Sequence, residues 1–183
     1  MNNDDEKIIK VQSYIRQYLA KKKKNQLLRD QSYHYPILPT NKKIIDQFKT
    51  LIPNINAEKD ILLDIGCGDG KLCYYFNKLY QCQCIGIEYN KNVLKKNISL
   101  NNITLLQDTI YNEELMKQLI QQATIIYIYM LPKTNQYLSI LLEKYCLENT
   151  FIICYVFKLP NWSIIKELKI TSQTSLYLYK MVK

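Results

Sequence analysis

The chain has 183 residues, 48% hydrophobic and 11% aromatic; that length fits one domain with at most an appendage, and that apolar content excludes global disorder. Twenty-five Lys/Arg against sixteen Asp/Glu give a formal net charge of +9. Such a balance is compatible with nucleic acid, with an acidic partner, or with a Lys-, Asn- and Ile-rich coding bias that would also account for the sixteen tyrosines.

Residues 1–6 are acidic and carry no apolar stretch, which predicts no signal peptide, and acid-poor, Arg-rich mitochondrial presequences look different. No apolar run approaches the roughly 20 residues that span a bilayer. The expectation is a soluble intracellular protein, cytoplasmic first, with a mitochondrial or assembly-bound (for example cytoskeletal) location as the alternative. Residues 6–30 follow a helical pattern in which Ile8, Val11, Ile15 and Leu19 recur on one face and Lys21 to Lys24 close the end. A loop with Pro36 and Pro39 leads to Thr40, the expected N-cap of a helix over 41–52 whose apolar face is Ile44, Ile45, Phe48 and Leu51.

From residue 60 the pattern alternates. Strands are predicted over 61–65, 84–88, 103–106, 124–130 and 151–157, and helices over 70–80, 90–98, 112–122, 134–147 and 161–168. Nearly all-apolar strands such as Ile125-Ile126-Tyr127-Ile128-Tyr129 suit a parallel sheet covered on both faces. The tail changes character: 166–171 and 175–181 read as two strands joined by Ser172-Gln173-Thr174, an antiparallel hairpin at a sheet edge. The fold class is therefore α/β, with a Rossmann-like, mostly parallel seven-stranded sheet, a C-terminal antiparallel hairpin and a preceding N-terminal helix. Six cysteines, without a CxxC pair and with His34 as the sole histidine, are expected to be buried reduced thiols, and no metal site is predicted.

The four glycines are Gly66, Gly68, Gly70 and Gly86. Three sit in Asp64-Ile65-Gly66-Cys67-Gly68-Asp69-Gly70 behind the run Ile61-Leu62-Leu63. An acid, Glu88, ends the second strand about 20 residues on, the arrangement that holds a nucleoside. Dinucleotide-binding domains share such a loop, but Lys71 stands where a third Rossmann glycine would fall, and those domains continue with parallel strands rather than a hairpin.

The region from Asp60 onward resembles the class I S-adenosylmethionine-dependent methyltransferases. Residues 61–70 look like the first motif of that superfamily, Cys84-Ile85-Gly86-Ile87-Glu88 like the second, and Leu105-Leu106-Gln107-Asp108 like the third. The resemblance implies S-adenosylmethionine as cofactor. It puts Gly66, Cys67, Gly68 and Gly70 under the methionine part and has Asp64 orient its ammonium. Glu88 would take both ribose hydroxyls, Asp108 would face the adenine amine, and Gly86 would keep the second strand slim beside Glu88.

A narrower resemblance covers residues 33–183, taken as the catalytic domain after an appendage of residues 1–32. Tyr35-Pro36-Ile37-Leu38-Pro39-Thr40, Tyr129-Met130-Leu131-Pro132, Val156-Phe157-Lys158-Leu159-Pro160-Asn161-Trp162 and Leu176-Tyr177-Leu178-Tyr179-Lys180 are similar to the small protein-lysine methyltransferases related to the ATP synthase c-subunit enzyme. A protein substrate methylated on lysine is what this resemblance implies. No membrane segment is expected before the domain, which weakens the inference of a membrane-embedded substrate. The fourth strand lacks the Asn/Asp-Pro-Pro-Tyr/Phe sequence that would suit amino-methylation of adenine or glutamine. Tyr35, Tyr129 and Trp162 are the candidates to line an acceptor pocket, and no general base is identified. An RNA or small-molecule methyltransferase is the rival enzyme. The remaining alternative is a non-catalytic methyltransferase-like subunit docked through the N-terminal helix. That helix carries Val11-Gln12, Arg16 and Lys21 in an IQ-like pattern, which resembles a binding site for calmodulin or another EF-hand protein.

Overall fold

The computed structural model describes residues 40, 42–94 and 102–183. The helix expected over 6–30, its IQ-like pattern, Tyr35 and the second half of the helix expected over 90–98 lie outside the described residues.

Seven strands form one sheet: β1 Ile61–Ile65, β2 Gln83–Glu88, β3 Ile103–Gln107, β4 Ile125–Ile128, β5 Phe151–Tyr155, β6 Lys166–Lys169 and β7 Ser175–Lys180. Their order is β3-β2-β1-β4-β5-β7-β6. Pairing is parallel from β3 through β5, and β7 then runs antiparallel to both β5 and β6. The expected α/β sheet with its terminal hairpin is thus present. The direction of winding reverses between β1 and β4, so the crevice of the fold opens at the carboxyl ends of these two strands.

Helices cover both faces, as the apolar strands require. On one face Leu62, Cys84, Ile125, Tyr127 and Ile153 pack against α1 Lys42–Asp46, α2 Phe48–Leu51 and α3 Lys71–Tyr80 through Ile44, Ile45, Phe48, Leu72 and Phe76. On the other, Leu63, Ile65, Ile85, Ile126 and Ile152 pack against α4 Glu113–Gln122 and α5 Pro132–Tyr145 through Met116, Ile120, Leu138 and Leu142. Two adjacent strand residues serving two cores is the period-two consequence of the pleat.

Several expectations need correction. The helix over 41–52 is two short helices, because around Gln47 the backbone closes i−3 bonds, Gln47 N to Ile44 O at 3.1 Å and Thr50 N to Gln47 O at 3.0 Å. Its apolar face is buried as predicted. The Thr40 hydroxyl lies 3.1 Å from Tyr127 Oη. Residues 91–94 form a turn held by Val93 N to Asn90 O at 3.0 Å. No helix exists over 161–168. Asn161 stands at φ 63 after Pro160, Ile165 N already donates to Leu178 O at 2.8 Å, and β6 continues that ladder. Pairing with β7 outweighs the weak local helix pattern. Strands β4 and β5 stop earlier than predicted, at Ile128 and Tyr155, where their mutual register ends with Ile128 opposite Cys154.

All six cysteines are free and buried, in line with the reduced state expected. Among the described residues no helix is long and apolar enough to cross a membrane, and no His, Cys, Asp and Glu cluster could hold a metal ion.

Candidate active site

The glycine loop leaves β1 and doubles back over the end of β2. Gly66 N and Cys67 N both donate to Ile87 O, at 2.9 and 3.0 Å, and Gly70 N donates to Cys67 O at 2.9 Å. Gly66, Gly68 and Gly70 stand at φ 81, 56 and 76, a succession of left-handed residues that side chains with a Cβ resist. Gly70 opens α3, so the free N–H groups of that helix start where the loop ends.

Glu88, at the end of β2, is tied to the same loop. Its carboxylate accepts Gly68 N through Oε2 at 3.1 Å and Asn90 N through Oε1 at 2.8 Å. Asp108 follows β3 and donates its backbone N–H to Glu88 O at 3.1 Å. The Asp108 carboxylate accepts Thr109 N at 2.6 Å and Asn112 Nδ2 at 3.0 Å. Three elements thus bring Gly66, Cys67, Gly68, Gly70, Glu88 and Asp108 together at the carboxyl ends of β1, β2 and β3, as the motifs predict.

Asp64 is placed differently from the other acids. It is a strand residue, 3% exposed, facing α3, with Cys73 Sγ 3.9 Å from its Oδ2. Burial, reinforced by the negative charge of Glu88, pushes its carboxyl up to about 8. A buried acid held protonated in this way is stabilised as a carboxylate when a cation arrives beside it. That chemistry suits an ammonium group, and the Glu88 carboxylate suits a vicinal diol. The residues present therefore fit S-adenosylmethionine.

Gly86 keeps β2 slim, and the neighbours that need the room are Cys67 and Leu105. An added Cβ would come 2.7 Å from Cys67 Sγ and 2.8 Å from Leu105 Cδ2. The absent side chain makes room for Cys67, which seats the glycine loop on β2. At Gly66 a Cβ would come 2.7 Å from Met130 Sδ, so the segment after β4 packs against the cofactor loop.

The pocket candidates are only partly assembled. Tyr129 is half-buried just past β4 and stacks edge-on against Tyr155, with ring centroids 4.8 Å apart. Trp162 belongs to the opposite face: it packs edge-on against Tyr179 at 6.2 Å, in the core of α4 and α5. The strand pleat separates the two, so Trp162 does not share a wall with Tyr129. Tyr155 is the aromatic partner that sequence reasoning missed. Its position opposite Tyr129 depends on the β4–β5 register, though both residues sit at the ends of apolar strands. A groove of about 480 Å³ lined by Asp46, Lys49, Pro53, Asn54, Ile55, Leu79 and Tyr80 lies beside the C-terminus of α3, at the amino ends of the strands, and contains none of these residues.

Comparison with known proteins agrees with this geometry. The ANTKMT methyltransferase domain matches residues 64–166, more than half of the chain. A protein-lysine N-methyltransferase of Saccharolobus islandicus (strain REY15A) is 25% identical over 153 residues, covering 80% of this chain and 93% of that one. An RNA methyltransferase from Salinibacter ruber, solved with S-adenosyl-L-homocysteine, superposes with a TM-score of 0.69 at 22% identity, covering 78% of this chain and 93% of that one. A precorrin-6y C5,15-methyltransferase from Geobacter metallireducens GS-15 superposes with a TM-score of 0.59 at 12% identity, covering 80% and 92%. The loop, the two acids behind it and the antiparallel finish of the sheet thus have one owner: the chain belongs to the ANTKMT methyltransferase domain family and is a class I S-adenosylmethionine-dependent methyltransferase.

Proposed function

We propose that the enzyme methylates a lysine side chain of a protein. The observation that carries this reading is the aromatic pair Tyr129–Tyr155, 4.8 Å between centroids, at the carboxyl ends of β4 and β5 and next to Met130, which packs on the cofactor loop. S-adenosylmethionine supplies an electrophilic methyl group on a sulfonium, which is displaced in line. The chain must then hold a neutral amine on the axis of that displacement, and positioning provides much of the rate. Half-buried aromatic walls desolvate the amine and lower its pKa, which favours the neutral nucleophile. Their faces also accept a methylated ammonium. The name of the Saccharolobus relative supports the same acceptor class.

The test is transfer of isotope-labelled methyl from S-adenosylmethionine into a total cell extract, followed by mass spectrometry. Methyl-lysine in protein is the expected product. Label that vanishes with ribonuclease, or that stays in small molecules, would overturn the reading. Asp64, Glu88 and Asp108 are proposed as the cofactor's partners, and Glu88→Ala is expected to abolish detectable S-adenosylhomocysteine binding in calorimetry.

The IQ-like pattern supports a second partner, an EF-hand protein bound at residues 11–21. Retention of the full chain on immobilised calmodulin, lost in Arg16→Glu, is the expected result, and no retention with or without calcium would refute it.

A further inference from the structure

Val156, the first residue beyond β5, stands at φ 67. That left-handed conformation is costly for a β-branched residue. Across it Phe157 N donates to Tyr155 O at 2.8 Å, closing a three-residue turn of the strained, positive-φ kind. Strain of this sort persists only where the surroundings over-determine it, and it concentrates at functional sites.

The over-determination here has named sources. Asn135, in the first turn of α5 and 1% exposed, donates its Nδ2 to Phe157 O at 3.1 Å and to Lys158 O at 3.3 Å. Leu159 N donates to Tyr179 Oη at 3.1 Å, and Val156 N to Ser175 O at 2.9 Å. Asn135 is in turn fixed by its own backbone N–H on Leu131 O at 3.0 Å, one residue from the Met130 that packs on Gly66. A continuous path therefore runs from the cofactor loop through residues 130–135 to the strained turn.

Asn135 is a poor choice for stability alone. It occupies a core position of α5, in line with buried Leu138 and Leu142, and its Oδ1 is buried without a hydrogen-bond partner. An unpaired buried acceptor costs free energy that a leucine on the same stripe would not incur. Its amide is there for the two carbonyls it holds.

We propose that Asn135 is a positioning residue for the methyl acceptor: its amide locks the turn at Val156 and so fixes Tyr155 against Tyr129 at the acceptor end of the cofactor loop. The proposal rests on the reading of the Tyr129–Tyr155 pair as the acceptor wall. Asn135 is buried, with its amide on two carbonyls of the turn segment. It acts through the turn, and Tyr179 anchors the segment on the far side.

The experiment is a double-mutant cycle in the full chain, with tritiated S-adenosylmethionine as donor and total soluble protein of a bacterial lysate as acceptor probe. Asn135→Ala is expected to lower methyl transfer on the order of 10- to 100-fold, the scale of an ångström of misplacement. Affinity for S-adenosylhomocysteine, read by calorimetry, is expected to stay unchanged. Adding Val156→Gly should restore much of the rate, because glycine takes the left-handed conformation without strain and no longer needs the clamp. A residue with a merely structural role would not be rescued from a position on another element. Wild-type transfer by Asn135→Ala, a parallel loss of S-adenosylhomocysteine binding, or additive losses in the double variant would overturn the proposal. Asn135→Leu, which fills the same core position without a donor, replaces the alanine variant if that one does not fold. If even the wild-type chain labels no lysine, the protein-lysine reading fails separately. Amide hydrogen exchange over residues 155–160 then decides the proposal: faster exchange in Asn135→Ala that reverts in the double variant supports it, and unchanged exchange overturns it.

Discussion

Gly86 shows how much a single missing carbon can decide. It pairs with Asp64 on β1 and Leu105 on β3, and a Cβ there would strike both Cys67 and Leu105 inside van der Waals contact. Gly86→Ala is therefore expected to destabilise the protein by about 1–3 kcal/mol through overpacking, read as a shift in denaturant midpoint. It should also weaken S-adenosylmethionine binding, because Cys67 carries the loop with it. A mutant of wild-type stability would show that Cys67 moves aside freely.

Asp64 makes a pH prediction with a definite sign. Its pKa rises from 3.8 in the unfolded chain to about 8 in the fold. The native state thus binds the extra proton between those values, and this group's contribution to stability is full below about pH 4 and lost as pH rises towards 8. A bound ammonium favours the carboxylate, so cofactor binding below pH 8 should release a proton from this site. Calorimetry at pH 6.5 in buffers of different ionisation enthalpy measures that release. It should disappear in Asp64→Asn, and equal proton release by the variant would assign the effect to another group.

Among the elements, the least regular segment is the most informative. Residues 156–162 contain two non-glycine residues at positive φ, Val156 and Asn161, and no helix of their own. They hold their course through bonds to α5 and β7. Tyr179→Phe removes the acceptor for the buried Leu159 N–H while keeping the ring that packs on Trp162. Its expected cost is about 1–3 kcal/mol, the penalty for an unsatisfied buried donor, measured by urea unfolding. A cost near zero would mean that the Leu159 amide finds another partner. The same segment is where reading from sequence falls short. Trp162, Ile164, Ile165 and Leu168 are spaced ambiguously between helix and strand, and only the free edge of β7 decides for the strand. Asn135, Leu138 and Leu142 are buried together on α5, one polar member among apolar ones. Which carbonyls that amide serves depends on residues more than 20 positions away.

For the molecule as a whole, the six cysteines form no disulfide and all are buried. Burial pushes the Cys67, Cys84 and Cys154 thiols well up from their ordinary value, with the charge of Asp64 adding to the effect at Cys67. The native protein is expected to resist a thiol reagent at pH 8 and to titrate all six groups only in denaturant. Fast labelling of any thiol in the native state would show that its strand or loop opens locally.

The sequence alone determined the parallel core, the terminal hairpin and the gathering of the glycine loop, Glu88 and Asp108 at one edge of the sheet. These rest on local patterns: apolar runs that need cover on both faces, a glycine loop directly behind a strand, and an acid at the next strand's end. Each is written within a few residues, and the βα alternation carries them to one edge of the sheet. Only the tertiary structure decided which distant side chains meet around that edge. Tyr155 rather than Trp162 faces Tyr129, Gly86 makes room for Cys67, and Asn135 holds the turn at Val156. These are relations between elements far apart in the chain, set by strand register and by the face of the sheet each residue meets, and no local periodicity encodes them.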